Sequence, residues 1–534
     1  MDERIREAVF PVRIILNEGS WKDIGLLTEP TDLQIGLDET HLIRVKGRAS
    51  VVLDFGCELH GGIRILTQLV DGGMTKIRIR TGESVSECCA ELGERGAHNH
   101  HALRDIETAL LMYSDLEFLQ TGFRFARIDF LEDKELLIKA ILAVSVHRDL
   151  KPAGSFVCSD DRVNEIFRVA ARTLMLNMQN YIWDGIKRDR LVWIGDMHPE
   201  TTGIVCLFGA DPSVERSLSY CREHTPLPNW MNRTPTYTAW WLIILYDYYL
   251  QNGNYQYIAD QKEYIKGALL LIDTLVAEDG SLIPDEKCLF DWPSHGSEDE
   301  EIGILALLTL AANKARELFK LLELDVSPCD RMLAKLSRQN AREVKTFKQC
   351  AAFQVYAGIK SAKDAYGFLT ANGAHGFSTF LSYYLLSAIA DSGDSARAVE
   401  LMKEYYGGML ELGATSFWED FDLDWMENSA PIDRLPKPGE RDIHGDFGKH
   451  CYVGFRHSLC HGWSCGPVPF LIKKLGGIEP LEPGCKRVRI APKDGGLDWY
   501  ELKYPTPFGC IEVIYRDGKY SISVPEQIEI VSET

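Results

Sequence analysis

From about Thr40 to Arg148, apolar positions either alternate with polar ones or form short continuous runs bounded by glycines. "SVVLDFGCELHGGIRILTQLV" and "MTKIRIRTGES" are rich in Val, Ile and Thr, "FRFARIDFLE" alternates, and "LLIKAILAVSVH" is almost unbroken. The pattern predicts strands. With no long helices between them, they read as a β-sandwich rather than a parallel sheet. From Ser159 the period becomes 3.6, and Val163, Ile166, Phe167, Ala170, Leu174 and Met178 line one helical face. Asp211-Pro212 and Thr234-Pro235 each place a capping side chain before a proline suited to the first helical position. "SEDE" at Ser297 to Glu300 is a capping box ahead of the apolar run Ile302 to Leu310. Phe377, Phe380, Leu381, Tyr384, Leu385 and Ala388 form a further stripe, and Val468 to Leu475 reads as the last helix. About a dozen helical segments joined by short loops are expected between Ser159 and Gly477, without the residue-level repeat of a solenoid. After Gly476-Gly477 strands return in "KRVRIAP", "DWYELKYPT", "GCIEVIYRDG" and "YSISVP", with "RDGK" as a hairpin turn. The order predicts an N-terminal β domain over 1–155, an α block over 156–478 and a C-terminal β domain over 479–534. β and α segments never alternate, which argues against Rossmann and TIM folds.

Charge narrows the partners. The 534 residues carry 58 basic and 78 acidic side chains, a formal charge of −20. Nucleic acid and anionic membrane are poor partners for such a chain, because phosphate affinity needs clustered Lys and Arg. No apolar run reaches the roughly 18 residues of a spanning helix, and the opening "MDERIREAVF" is too charged for a secretory segment. The 14 cysteines are scattered, with no CxxC pair, and are expected as reduced thiols in a cytoplasmic protein. No feature of the sequence sets an oligomeric state.

Two segments concentrate chemistry. "WDGIKRDRLVWIGDMHPE", from Trp183 to Glu200, packs Asp184, Asp189 and Asp196 with Lys187, Arg188, Arg190 and two tryptophans directly after an amphipathic helix. A solvated loop has no need of two tryptophans, and a buried one must pair every carboxylate. A pocket where aromatic faces hold a sugar ring and carboxylates take its hydroxyls meets both demands. A structural Arg–Asp network at a helix end meets them equally well. "GATSFWEDFDLDW", from Gly413 to Trp425, sets Glu419, Asp420, Asp422 and Asp424 between Trp418 and Trp425. Acids from distant segments converging on one cavity are how a pair of catalytic carboxylates is usually assembled; an acidic, solvent-facing turn is the plainer reading for Asp422 and Asp424.

These residues match a family. "DGIKRDRLVWIGD" resembles the signature of the α-L-rhamnosidases of glycoside hydrolase family 78, an Asp followed by Arg, an acid and Arg, then Trp-x-Gly-Asp. "GATSFWEDFD" is similar to its second signature, "SLCHGWSCG" to its later His-containing helix start, and "IEPLEPGCKRVRIAP" with "YPTPFG" to the opening of its C-terminal β domain. The resemblance runs in order from about Phe156 to the end. It implies an (α/α)6 toroid flanked by N-terminal and C-terminal β-sandwich domains, in a mainly α, multidomain chain releasing terminal α-L-rhamnose from a small glycoside or oligosaccharide with inversion. Asp189 falls on the position of the general acid and Glu419 on that of the base. Asp184, Arg188 and Asp196 fall on sugar-binding positions. Trp193, Trp292, Trp418 and Trp240 or Trp241 resemble pocket walls, and His461 a further polar contact. No cofactor and no metal follow from this chemistry.

The chain departs from the family pattern in places. Many members carry Glu where Asp189 stands, and the missing methylene sets the carboxyl about 1.5 Å further back. Gly185-Ile186 replaces the usual Cys-Pro, and "ENSAPIDRLPKPGERDIHGDFGKH" makes a long stretch between Glu419 and His461, suited to a flap. His457 and His461 stand four apart, but Ser458 follows the first where a zincin needs Glu. "HNHH" at His98 to His101 reads as a solvated loop, and Glu298 to Glu301 as acids complementing a helix dipole. Two alternatives stand beside the glycosidase: a sugar-binding pseudoenzyme that has lost an efficient acid, and another (α/α)6 carbohydrate-active enzyme such as a polysaccharide lyase, for which Lys187, Arg188, Arg190 and His198 could neutralise a uronate.

Overall fold

A computed structural model describes residues 2–38, 40–450 and 452–531. The chain divides into two compact units, neither of them continuous. The first gathers Met1–Asp149, Met175–Leu191 and Met409–His461; the second gathers Leu150–Leu174, Val192–Gly408 and Gly462–Thr534.

The first unit is built on a seven-stranded sheet: β1 (Arg4–Val9), β2 (Arg13–Lys22), β3 (Ile43–Val70), β4 (Met74–Gly82), β5 (Asp105–Leu111), β6 (Ser114–Phe130) and β7 (Glu135–Arg148). The order is β1-β7-β3-β6-β4-β5, with β2 also on β3, and every pairing is antiparallel. No long helix lies between these strands, as the sequence predicted. β3 is 28 residues long and its register slips against β6 between Asp54 and Leu59 and against β7 between Lys46 and Gly61. Such bulges let one strand bend while serving several neighbours. Its alternate residues Val51, Leu53, Phe55, Ile63 and Ile65 pack with Phe123, Ile128, Ile138 and Ile141 in one core. Gly61 is required there, because a Cβ would lie 1.8 Å from the Val144 carbonyl oxygen.

The second unit is mainly helical. Its longer helices include Met197–Phe208, Pro212–Glu223, Pro235–Asn252, Glu298–Leu321 and Ser382–Asp391, and no helix among the described residues is long and apolar enough to cross a membrane. Asp211 caps as expected, accepting the Ser213 N–H at 2.9 Å, whereas Thr234 makes no side-chain cap bond although Pro235 fills the first helical position. The capping box is half formed: Ser297 Oγ accepts the Glu300 N–H at 3.1 Å, but the Glu300 carboxylate turns to the N–H groups of Gly296 and Phe290. Phe377 and Phe380 are buried but precede their helix, which begins at Ser382. The helix expected over Val468 to Leu475 is a short α turn, Pro467–Pro469, continued by a π-helix, Phe470–Leu475.

A four-stranded antiparallel sheet, in the order Lys519–Ser523, Gly509–Arg516, Trp499–Thr506 and Ser155–Cys158, belongs to this unit. Asp517 and Gly518 turn its hairpin with φ of 51° and 75°, the left-handed pair that matches strand twist. Strand Ser155–Cys158 was not legible in the sequence; it sits where the chain enters the α block and pairs with Trp499–Thr506.

Candidate active site

Within the first unit, residues 178–191 and 409–461 bring together six of the residues singled out above: Asp184, Arg188, Asp189, Trp418, Glu419 and His461. The 178–191 loop is closed on itself. Asp184 is buried, its backbone N–H donates to the Leu191 carbonyl at 3.2 Å, and its Oδ1 accepts the Leu191 N–H at 2.9 Å. Gly185 pairs with His461, fixing the loop to the later signature.

Arg188 is the hub. Its Nε–H donates to the Arg456 carbonyl at 3.0 Å, one arm lies 3.3 Å from Asp189 Oδ1, and the other donates to Glu419 Oε1. A fork holding two carboxylates is geometry that guanidinium supplies and ammonium does not. Asp189 and Arg190 both adopt left-handed backbone, with φ of 53° and 54°. For residues with a Cβ this costs of order 1–3 kcal/mol each and persists only where the surroundings impose it. The twist turns Asp189 outward, with 17% of its side chain exposed against 3% for Glu419.

Glu419 is anchored from both ends. Its N–H donates to the Ser458 carbonyl at 2.9 Å, and its Oε2 accepts the Ser458 N–H at 3.2 Å. Burial pushes its pKa up, but the Arg188 guanidinium above all outweighs burial and holds the carboxyl below the ordinary value. The neighbouring Asp420 behaves in the opposite way: burial pushes it up to about 6. His457 takes the Asp420 N–H at Nε2 and is pushed down to about 3 by burial, so it stays neutral. His461 Nδ1 lies 3.9 Å from Glu419 Oε1, and Trp418 is buried edge-on to Phe421.

Beneath this layer lies a buried ionic cluster that the sequence did not announce. Lys187 Nζ sits 2.9 Å from Glu83 Oε2 and 3.3 Å from Glu87 Oε1, and donates to the carbonyls of Phe455 and His457. Glu83 also accepts the Leu459 N–H at 2.6 Å, so one carboxylate holds both Lys187 and the residue after Glu419's own anchor. Burial pushes Glu83 up to about 7. Glu83, Glu87 and His444 stand close enough to hold a metal ion, but the Lys187 ammonium lies against the same two carboxylates and supplies the positive charge they need. The long stretch after Glu419 is pinned by a two-residue parallel pairing of Ser429–Ala430 with Arg441–Asp442, by Arg434 on Glu440, and by the buried His444.

The other five candidates belong to the second unit. Asp196 is buried and accepts the Tyr237 hydroxyl at 3.3 Å, and Trp193 meets the same tyrosine edge-to-face at 6.0 Å. Gly195 permits this packing, since a Cβ there would lie 2.3 Å from the Tyr237 ring. Trp292 is half-buried against His295. Trp240 and Trp241, expected as alternative walls, both have 0% exposure. Trp240 is packed among His198, Phe353 and Tyr384, and Trp241 donates its N–H to the Leu218 carbonyl at 3.3 Å and meets Tyr264. Neither has an open ring face, and hydrophobic packing accounts for both.

Residues 151–305 match the bacterial α-L-rhamnosidase six-hairpin glycosidase domain, and residues 477–530 match the bacterial α-L-rhamnosidase C-terminal domain. A curated α-L-rhamnosidase of Formosa agariphila is 33% identical over 84 residues, 15% of this chain and 8% of that one. Among solved structures, the family 78 rhamnosidase of Bacillus sp. GL1 has a TM-score of 0.72 at 20% identity, covering 93% of this chain and 53% of its own. A Klebsiella oxytoca rhamnosidase with rhamnose bound has a TM-score of 0.69 at 19% identity, covering 88% and 96%. That of Streptomyces avermitilis, complexed with L-rhamnose, has a TM-score of 0.69 at 16% identity, covering 90% and 48%. The chain thus spans about half the length of the Bacillus enzyme and a small part of the curated relative.

Proposed function

We propose that the chain is a glycoside hydrolase releasing terminal α-L-rhamnose by inversion, with Glu419 as base and Asp189 as acid. The observation that carries this is the Arg188 fork, which holds an oxygen of each carboxylate inside a segment bearing the rhamnosidase signature. The two groups differ as their roles require. Glu419 is buried, ion-paired and held below its ordinary pKa, which suits a group that must stay ionised to deprotonate a water. Asp189 is the more exposed, which suits a group that takes up a proton from solvent in each cycle. An inverting pair stands roughly 6.5–9.5 Å apart to admit the attacking water, and the shorter Asp favours that wider spacing. Within the first unit, Asp184, Trp418 and His461 are assigned to the sugar. The proposed frame is a β-sandwich over 1–155, an (α/α)6 toroid over 156–478 and a second β-sandwich over 479–534. A reducing, cytoplasmic setting is supported by the thirteen described cysteines, all free thiols.

A panel of chromogenic α- and β-glycosides tests the reading: turnover of the α-L-rhamnoside alone is expected. A second reading, a sugar-binding protein without turnover, draws on the short side chain of Asp189, which stands where many family members carry Glu. Rhamnose binding with silence on every glycoside would select it.

A further inference from the structure

The "HNHH" run closes on the acid. His101 Nε2 lies 3.3 Å from Asp189 Oδ1, while the His101 side chain keeps 31% of its surface exposed. Arg190 tethers the run by donating to the His101 carbonyl, and its other arm donates to the Gln120 carbonyl at 3.1 Å. His98 and His100 stack with ring centroids 4.4 Å apart, and Arg456 Nη1 stands 3.3 Å from His98 Nε2.

A general acid delivers its proton to the glycosidic oxygen, so the leaving group must lie on the acid's side. Whatever lines the outer side of Asp189 therefore meets the leaving group rather than the rhamnose. Here that lining is cationic, in a chain whose net charge is −20. Arg456 stands on His98, Arg190 on the His101 carbonyl, and Asp189 is the carboxylate that His101 meets. Burial pushes His98 down to about 4, so at neutral pH its ring is an uncharged flat surface and the positive charge resides on the arginines.

We propose that His98, His100 and His101 with Arg190 and Arg456 form the leaving-group subsite, and that it takes a uronate, a sugar whose carboxylate meets the arginines while its ring lies on the imidazole faces. The inference rests on the reading of Asp189 as acid in a rhamnosidase, and names the substrate class of that site.

The test compares α-L-rhamnosyl-(1→4)-D-glucuronate with α-L-rhamnosyl-(1→4)-D-glucose, identical but for one carboxylate, and α-L-rhamnosyl fluoride, whose leaving group fills no subsite. The expected kcat/KM is at least about tenfold higher for the uronate, carried mainly in KM, as one charge-assisted contact supplies. The preference should shrink in 0.5 M salt and approach unity in Arg456→Gln, whose backbone carbonyl still holds Arg188. His98→Ala with His100→Ala should lower both disaccharides relative to the fluoride. Equal rates on the two disaccharides, or a preference untouched in Arg456→Gln, would overturn the subsite while leaving the rhamnosidase reading intact. Silence on all three substrates would bring down that reading, and the subsite with it.

Discussion

Glu419 and Asp189 meet the same guanidinium yet sit in different surroundings, and the difference can be read out residue by residue. Glu419→Gln keeps a hydrogen-bond acceptor for Arg188 but no base, so turnover should fall at least about a hundredfold with the circular dichroism of the native fold retained. Asp189→Asn should cost about as much on poor leaving groups and much less on good ones, which need little protonation; equal losses on both would remove Asp189 from the acid's role. Glu83 makes a separate prediction. Its folded-state pKa, about 7, lies above the ordinary 4.5, so between those values the folded chain retains a proton that the unfolded chain has lost. Its contribution to stability is therefore full below pH 4.5 and lost as pH rises through 7. Urea midpoints measured from pH 4.5 to 8 should decline more steeply for the natural chain than for Glu83→Gln, and parallel curves would show that Glu83 titrates normally. At this scale the sequence marked out Asp184, Arg188, Asp189 and Glu419, because acids, arginines and tryptophans crowd two short segments. It did not mark Glu83, and it singled out the run holding His101 only as a solvated loop. Their partners Lys187 and Asp189 lie far along the chain, and a Glu in a strand-to-helix turn or a His in a polar loop has no local signature. Trp240 and Trp241 show the converse: an aromatic pair in a helix is core unless something opens a ring face to solvent.

At the scale of elements, local chemistry predicted what local chemistry determines. The Asp211 cap, the Ser297 cap and the Asp517-Gly518 hairpin were legible because each is closed by neighbours in sequence. Ser297→Ala should cost about 1 kcal/mol, the usual worth of such a cap, read as a lowered midpoint in thermal or urea unfolding. The strand Ser155–Cys158 was not legible, since four residues carry little pattern and its partner begins at Trp499. β3 was legible as strand but not as a single bent one, because the bulges that bend it are set by β6 and β7. Gly61→Ala is the sharpest test of that bend. A Cβ 1.8 Å from a carbonyl oxygen cannot be relieved by a side-chain rotation, so the variant should lose several kcal/mol or fail to fold, whereas the same change at solvent-open Gly72 should leave the fold standing.

At the scale of the whole molecule, the chain leaves its first compact unit and returns to it twice, an arrangement no periodicity reveals. The β domain is consequently more than an appendage to the helices. Glu58 donates its N–H to Thr415 Oγ1 at 2.9 Å, Arg124 donates to the Gly413 carbonyl at 3.0 Å, and Glu83 holds Lys187 and Leu459. These contacts join the sheet to both segments of the proposed site. A chain lacking residues 1–149 should therefore be insoluble or inactive, and an active, soluble truncation would show that the site is held by other means. The central claim, an inverting rhamnosidase with Glu419 as base, is tested most directly by following hydrolysis of an α-L-rhamnoside by proton NMR before mutarotation. The account predicts that β-L-rhamnose appears first with the natural chain and that no product forms with Glu419→Gln. First release of the α-anomer, or hydrolysis by Glu419→Gln at near the natural rate, would contradict it.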